Sequence, residues 1–117
     1  MKKKIKKIIL KKNKSKIVCL TAYSKNISKI LDKYCDIILV GDSMANVLFG
    51  HKNTHEINLD NIIQHTKSVK MGIKNSLLIA DMPKGTYSSK NLAYKNAKLL
   101  IKKTKCDAIK LESNKKN

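Results

Sequence analysis

The sequence predicts an α/β fold with a curved, parallel β-sheet. Three short runs of Ile, Leu, Val and Ala end at an acidic residue, which is Asp42, Asp81 or Glu112. The runs lack the alternation of polar and apolar residues that marks a half-exposed strand, so they favour strands buried on both faces. The intervals between them are long enough for one helix and a return strand. Right-handed crossovers then place the three acidic residues at one edge of the sheet.

The N-terminal segment is predicted to form a separate, lysine-rich element. The first dozen residues place Ile5, Ile8 and Ile9 on one face of a helix, an arrangement typical of an amphipathic helix. We therefore assign residues 1–15 to a lysine-rich helix or arm and residues 16–117 to a single small domain.

The domain is predicted to contain four strands in the order β-α-β-α-β-α-β. The predicted strands cover residues 17–22, 36–41 and 76–80 and a last run that ends at Glu112. The predicted helix caps are Ser24, then Asn58 or Asp60, then Ser88 or Ser89. Gly72 is expected to end the middle helix. The last helix is expected to turn five apolar residues toward the core: Leu92, Ala93, Ala97, Leu100 and Ile101.

The chain is strongly basic, with 26 basic residues, 8 acidic residues and a formal net charge of +18. Every basic residue is Lys, whereas Arg is the usual reader of phosphates and bases. The lysines are spread along the whole chain together with Ile and Asn, which indicates a composition bias rather than a nucleic-acid surface. A nucleic-acid partner is therefore not expected. No apolar stretch approaches the length of a membrane span, and we expect a cytoplasmic protein without a membrane partner.

The three cysteines show no metal-binding or redox spacing. Cys19, Cys35 and Cys106 form no C-x-x-C pair, which favours a reducing compartment. Cys19 and Cys106 lie in or beside apolar runs, so both are expected to be small buried hydrophobic residues.

The acidic strand ends are of the type that binds a hard cation. Asp42, Asp81 and Glu112 would each be an ordinary cap or loop residue if taken alone, but three carboxylates at one edge suit Mg²⁺. A 2-oxo acid could supply further oxygens, and its C–H would become more acidic. Lys110 lies two residues before Glu112 and therefore on the same side of its strand, where it could meet the charge of the substrate. Ser43 could donate to a carboxylate or merely cap the next turn.

The histidines give a weaker signal. His51 and His55 have the i, i+4 spacing of some zinc sites, but their loop lacks a helical pattern and the Glu of a metalloprotease motif. A zinc site is therefore not expected. His65 is expected to lie on the surface or at the edge of a helix.

The order of motifs resembles the ketopantoate hydroxymethyltransferase family. The most specific block is Leu39-Val40-Gly41-Asp42-Ser43. The other matching blocks are Thr21-Ala22-Tyr23, Gly50-His51 with Thr54, His65, Asp81-Met82-Pro83 with Gly85 and Tyr87, Asn96-Ala97, and Asp107 through Glu112. Lys84 departs from the pattern, because the family usually has Phe there.

The resemblance implies a (β/α)8 TIM barrel of the phosphoenolpyruvate/pyruvate type, of which this chain holds about the first four βα units. It implies transfer of a hydroxymethyl group from 5,10-methylenetetrahydrofolate to 3-methyl-2-oxobutanoate. By motif, Asp42, Asp81 and Glu112 would bind Mg²⁺, and Asp42, Ser43, Asp81 and Lys110 would hold the oxo acid. The general base of the family is a glutamate on a later strand, so no catalytic residue is assigned here. The expected partner is a complementary C-terminal half or a further copy of the chain.

Two alternatives stay open at this point. One is a catalytically inactive chain that still binds Mg²⁺ or anions. The other is a basic protein that holds nucleic acid electrostatically. Binding to phosphates falls steeply with salt, whereas binding of an oxo acid through Mg²⁺ depends on the metal and on Asp42, so the two dependences separate these alternatives.

Overall fold

A computed structural model describes residues 2–112 and confirms the predicted α/β fold with a parallel sheet. The four strands are neighbours in chain order: β1 (Cys19–Thr21), β2 (Ile37–Val40), β3 (Leu77–Asp81) and β4 (Ala108–Lys110). The helices are α1 (Lys2–Leu10), α2 (Lys25–Leu31), α3 (Met44–Val47), α4 (Leu59–Gly72) and α5 (Lys90–Thr104). The short helix α3 lies between β2 and α4 and is absent from the predicted order of strands and helices. Within residues 2–112, no helix is both long and apolar enough to cross a membrane.

The register brings the carboxyl ends of the strands to one edge of the sheet. Thr21 pairs with Leu39, Leu39 pairs with Ile79, and Ile79 pairs with Ala108. Two residues further along, Asp81 pairs with Lys110. The sequence order therefore places the polar strand ends side by side, as expected for a parallel sheet.

The helix starts follow the predicted capping residues. The Asn58 side chain accepts from the backbone N–H of Asn61, and the Asn61 side chain accepts from the backbone N–H of Asn58, so Asn58 rather than Asp60 caps α4. The Ser89 side chain accepts from the backbone N–H of Leu92 at the start of α5. Ser24 takes the cap position of α2 without a side-chain hydrogen bond.

The core lies between the sheet and helices α4 and α5. Ile38, Val40 and Leu78 from the strands are fully buried against Ile62 and Leu100 from the helices. Burial of an aliphatic side chain contributes about 1.5–3 kcal/mol, so this layer is the main source of stability.

Burial on both faces was predicted for the strands that end at Asp42, Asp81 and Glu112, and it is wrong for β4, whose three residues are only partly buried. No such prediction was made for β1. This strand is the outer strand beside β2, and all three of its residues are exposed. Cys19 is exposed as well, which contradicts its predicted burial, whereas Cys106 is buried as predicted. An outer strand has a neighbour on only one side, so the residue pattern of β1 could not reveal its exposure.

Two apolar faces were also predicted too broadly. Ile101 was expected in the core, but it is 44% exposed, and Thr104 is buried on α5 together with Leu100. Ile9 was expected on the packed face of α1, but it is 63% exposed. Each helix buries only part of its apolar stripe, so residues at the margin of the stripe remain in solvent.

Helix α1 lies against the amino ends of the strands. The Lys4 ammonium donates to the backbone carbonyl of Ser76 over 2.9 Å, just before β3. Lys11 forms a 2.6 Å ion pair with Asp36, just before β2. This pair, together with the backbone N–H of Val18, lowers the pKa of Asp36. The predicted lysine-rich helix is therefore docked on the domain through polar contacts at the end opposite to the acidic strand ends.

The turn between α4 and β3 is organised around the buried carboxylate of Asp32. This carboxylate accepts from the backbone N–H groups of Lys74, Asn75 and Ser76 and from the side-chain amide of Asn75, over 2.8–3.2 Å. Burial disfavours its charged form, but the hydrogen bonds from the turn outweigh burial and lower the pKa of Asp32 below its usual value of 3.8.

Replacing Asp32 with Asn is expected to reduce the free energy of unfolding by about 2–3 kcal/mol, because one acceptor oxygen becomes an N–H₂ group that faces N–H donors. Since folding lowers the pKa of Asp32, its contribution is complete above pH 3.8 and is lost as the pH falls through the folded-state pKa. Urea denaturation of both proteins from neutral pH to below pH 3.8 checks this. If the difference in free energy of unfolding between the two proteins stays the same at acidic pH, the assigned role of the Asp32 carboxylate is wrong.

Candidate functional site

Asp81 lies at the centre of the acidic edge, as the last residue of β3. It is only 1% exposed. Its Oδ2 accepts from the Lys110 ammonium over 3.0 Å and, more weakly, from the backbone N–H of Asp42 over 3.4 Å. Its Oδ1 is buried without a hydrogen-bond partner among the described residues. An unpartnered buried carboxylate oxygen is costly, so this atom points to a ligand.

Asp42 follows β2 and faces Asp81 across the neighbouring strand ends. Burial raises the pKa of Asp42, and the nearby charge of Asp81 raises it further. The charge of Lys110 and the nearby Thr54 side chain lower the pKa of Asp42 without reversing the shift. The charge of Asp81 makes ionisation of Asp42 more costly, so the two adjacent carboxylates form a local excess of negative charge that favours a cation between them.

Lys110 connects the acidic residues. Burial alone would lower the pKa of this ammonium, but the hydrogen bond and charge of Asp81, followed by the charge of Glu112, outweigh burial and raise it. Its Nζ lies 3.7 Å from Glu112 Oε1. The sequence prediction that Lys110 and Glu112 share one side of the strand agrees with this contact.

The three predicted metal ligands are not gathered into one cluster. Within residues 2–112, no group of three or more His, Cys, Asp or Glu side chains is placed to hold a metal ion. Asp42 and Asp81 come together, but the Glu112 side chain is 66% exposed and contacts Lys110. Strand β4 ends at Lys110, so Glu112 lies past the last strand pairing that could fix its direction.

Ser43 is held by a tyrosine that the sequence reasoning did not assign. The Ser43 hydroxyl and the Tyr23 hydroxyl lie 2.6 Å apart, and the backbone carbonyl of Tyr23 lies 2.8 Å from Nδ1 of His65. Ser43 also occupies the N-cap position of α3, although its side chain makes no capping hydrogen bond. Tyr23 and Thr54 both occur in the matching motifs, but nothing in their spacing indicated contact with Ser43 or Asp42.

The loop histidines contact other partners. Nε2 of His55 is 3.4 Å from the exposed Lys84 ammonium, and Nδ1 of His51 is 3.4 Å from Oε2 of Glu56. Phe49 lies between two imidazoles, with ring centroids 5.8 Å from His51 and 6.0 Å from His65.

The residues present fit a hard divalent cation. Mg²⁺ prefers carboxylate oxygens and is usually bound by one or two carboxylates together with waters or substrate oxygens. The unpartnered Oδ1 of Asp81 and the adjacent Asp42 carboxylate supply such a pair. Lys110 and Ser43 add a positive charge and a hydroxyl at the same edge, where an anionic ligand could reach them.

Comparison with known proteins identifies one family. The sequence model of the ketopantoate hydroxymethyltransferase family matches residues 2–117. Three relatives that bear the name 3-methyl-2-oxobutanoate hydroxymethyltransferase come from Pelagibacter ubique, Anaplasma marginale and Agrobacterium fabrum. The first is 56% identical over 99% of this chain, and the others are 45% identical over 87% and 86% of it. The chain spans only 45%, 37% and 37% of the length of these relatives.

Proposed function

Because the chain belongs to the ketopantoate hydroxymethyltransferase family, we propose that it carries the magnesium-binding and oxo-acid-binding part of a 3-methyl-2-oxobutanoate hydroxymethyltransferase. The complete reaction would transfer a hydroxymethyl group from 5,10-methylenetetrahydrofolate to 3-methyl-2-oxobutanoate. The product would be 2-dehydropantoate, a precursor of pantothenate.

The observation that carries the proposal is the buried, unpartnered Oδ1 of Asp81 beside Asp42 and Lys110. Asp42 and Asp81 would bind Mg²⁺ through their carboxylates. Glu112 would become a third ligand if its side chain turned away from Lys110. In its present position, Glu112 would act on the site only through its ion pair with Lys110.

The side chains around the acidic pair have distinct tasks in this proposal. The bound metal ion would polarise the keto group of the substrate and make its neighbouring C–H more acidic. The Lys110 ammonium, whose raised pKa keeps it charged, would pair with the negative charge of the oxo acid. Ser43, held through Tyr23, would donate its hydroxyl to the substrate carboxylate. Restricting the Ser43 side chain in advance reduces the entropy lost on binding.

The two outer strands support a partner that completes the sheet. Strands β1 and β4 are the edges, and an unpaired parallel edge exposes backbone N–H and C=O groups that favour pairing with another strand. Apolar residues near β1 are exposed as well: Ile17 at 42%, Val18 at 41% and Leu20 at 46%. We propose that a complementary C-terminal half of the barrel, or a further copy of the chain, covers these edges.

The test is calorimetric titration of the chain with 3-methyl-2-oxobutanoate, with and without Mg²⁺. We expect saturable binding that requires the metal, because the keto and carboxylate oxygens would complete the coordination of the ion. The matched control ligand is 3-methylbutanoate, which keeps the carboxylate but lacks the keto oxygen and should bind more weakly. Equal binding with and without Mg²⁺, or equal binding of the two acids, contradicts the proposed site.

Mixing the chain with the C-terminal half of a family member tests the complete reaction. Formation of 2-dehydropantoate from the oxo acid and 5,10-methylenetetrahydrofolate is expected in the mixture, and the same mixture with Asp42→Asn in this chain should lose it. Metal-dependent oxo-acid binding without product in the mixture would support the binding site and contradict the transferase activity.

A further inference from the structure

The lysine-rich helix α1 contributes to a basic cavity at the amino ends of the strands. This cavity has a volume of about 270 Å³ and is lined by Lys3, Lys4, Lys7, Lys74 and Asn75. The first three residues come from one side of α1, and the last two come from the turn that precedes β3. Because Lys74 precedes β3 and Asp81 ends it, this cavity is at the opposite end of the sheet from the acidic pair. The proposed transferase activity gives these lysines no task.

The two walls of the cavity are fixed by contacts already present in the fold. Asp32 accepts from the backbone N–H groups of Lys74 and Asn75, which fixes the turn. The Lys4 ammonium donates to the backbone carbonyl of Ser76 and lies 3.7 Å from Asp107, which holds α1 against the same turn. These contacts fix the positions of α1 and of the turn, and therefore the backbone of both walls.

The charge in this cavity is strongly unbalanced. Among residues 2–112, no carboxylate lies within ion-pair distance of Lys3, Lys7 or Lys74, and all three side chains are exposed. The neighbouring carboxylates are already engaged, since Asp32 accepts from N–H donors of the turn, Asp36 pairs with Lys11, and Asp107 pairs with Lys4. Three like charges at one cavity repel one another, and a bound anion would relieve this repulsion.

We propose that this cavity binds a small anion with two or more adjoining phosphate groups. Lysine ammonium groups bind phosphate as point charges without a fixed geometry, and three of them match the multiple charges of an oligophosphate. The cavity volume lies just below the usual range of ligand pockets, roughly 300–1,000 Å³, which suits an oligophosphate better than a large organic molecule.

The test is calorimetric titration of the chain with tripolyphosphate, at constant ionic strength and without Mg²⁺. We expect one saturable site, and the double variant Lys7→Gln/Lys74→Gln should bind roughly tenfold more weakly, because two charge-assisted contacts are lost. The matched control is Lys95→Gln/Lys102→Gln, which removes the same charge from exposed positions on α5 and should bind within roughly twofold of the parent.

Equal weakening in both double variants would show that binding follows net charge, and it would overturn the proposal. Binding without saturation would do the same, as would a single-stranded oligonucleotide that displaces tripolyphosphate and loses equal affinity in the two variants. Thermal unfolding without anion confirms that the variants are folded, as expected for substitutions at exposed residues. A second titration with a nucleoside triphosphate separates the possible sources: equal affinity supports a free oligophosphate, and tighter binding supports the phosphates of a nucleotide.

Discussion

Replacing Asp81 with Asn is expected to reduce the affinity for Mg²⁺ by roughly 100-fold or more, because a primary carboxylate ligand becomes a neutral amide. The substitution also removes the charge that faces Lys110 at 3.0 Å. The oxo acid should then bind independently of the metal, if it binds at all. Calorimetric titration with Mg²⁺ measures the first effect, and titration with 3-methyl-2-oxobutanoate at saturating Mg²⁺ measures the second.

The matched control for Asp81→Asn is Asp60→Asn, which makes the same chemical change at an exposed residue in the first turn of α4. Its Mg²⁺ affinity should equal that of the parent chain, since Asp60 contacts none of the groups at the acidic edge. If Asp81→Asn, folded by circular dichroism, binds Mg²⁺ as tightly as Asp60→Asn, then the metal site is not where we place it.

Replacing Gly72 with Ala is expected to lower the free energy of unfolding by about 3 kcal/mol through a clash between α4 and α2. A Cβ at this position would lie 2.2 Å from the Ser28 hydroxyl, 2.4 Å from the backbone carbonyl of Lys25 and 2.7 Å from the backbone nitrogen of Lys29. Two of these atoms belong to the backbone, so the helices would have to separate. Alanine also has a higher helix propensity than glycine, by about 1 kcal/mol, which is too small to offset the clash.

The matched control is Gly41→Ala, where the nearest atom to the new Cβ would be the Ser43 hydroxyl at 3.5 Å, an ordinary contact distance. Chemical denaturation should show a large reduction of the free energy of unfolding for Gly72→Ala. For Gly41→Ala, the free energy of unfolding should change by no more than about 1 kcal/mol. Equal reductions of the free energy of unfolding in the two variants would contradict the predicted clash at Gly72.

The features that the sequence determined by itself are local. Apolar runs ending at Asp42 and Asp81 predicted two buried strands with polar carboxyl ends, because side-chain burial in a parallel sheet needs only a short continuous apolar segment. The caps at Asn58 and Ser89 were predictable for a similar reason, since a capping side chain contacts a backbone N–H only three residues away. Right-handed crossovers between parallel strands extended these local predictions to a common edge.

Other features depend on residues far apart in the chain, and only the tertiary structure decided them. The exposure of Cys19 follows from the outer position of β1, and the role of Asp32 follows from a turn more than 40 residues away. At the candidate site, the sequence grouped Glu112 with the two aspartates, whereas the structure places Lys110 between Glu112 and Asp81. Residue spacing sets the side of a strand on which a side chain lies, but strand pairing and packing determine which neighbouring charge that side chain contacts.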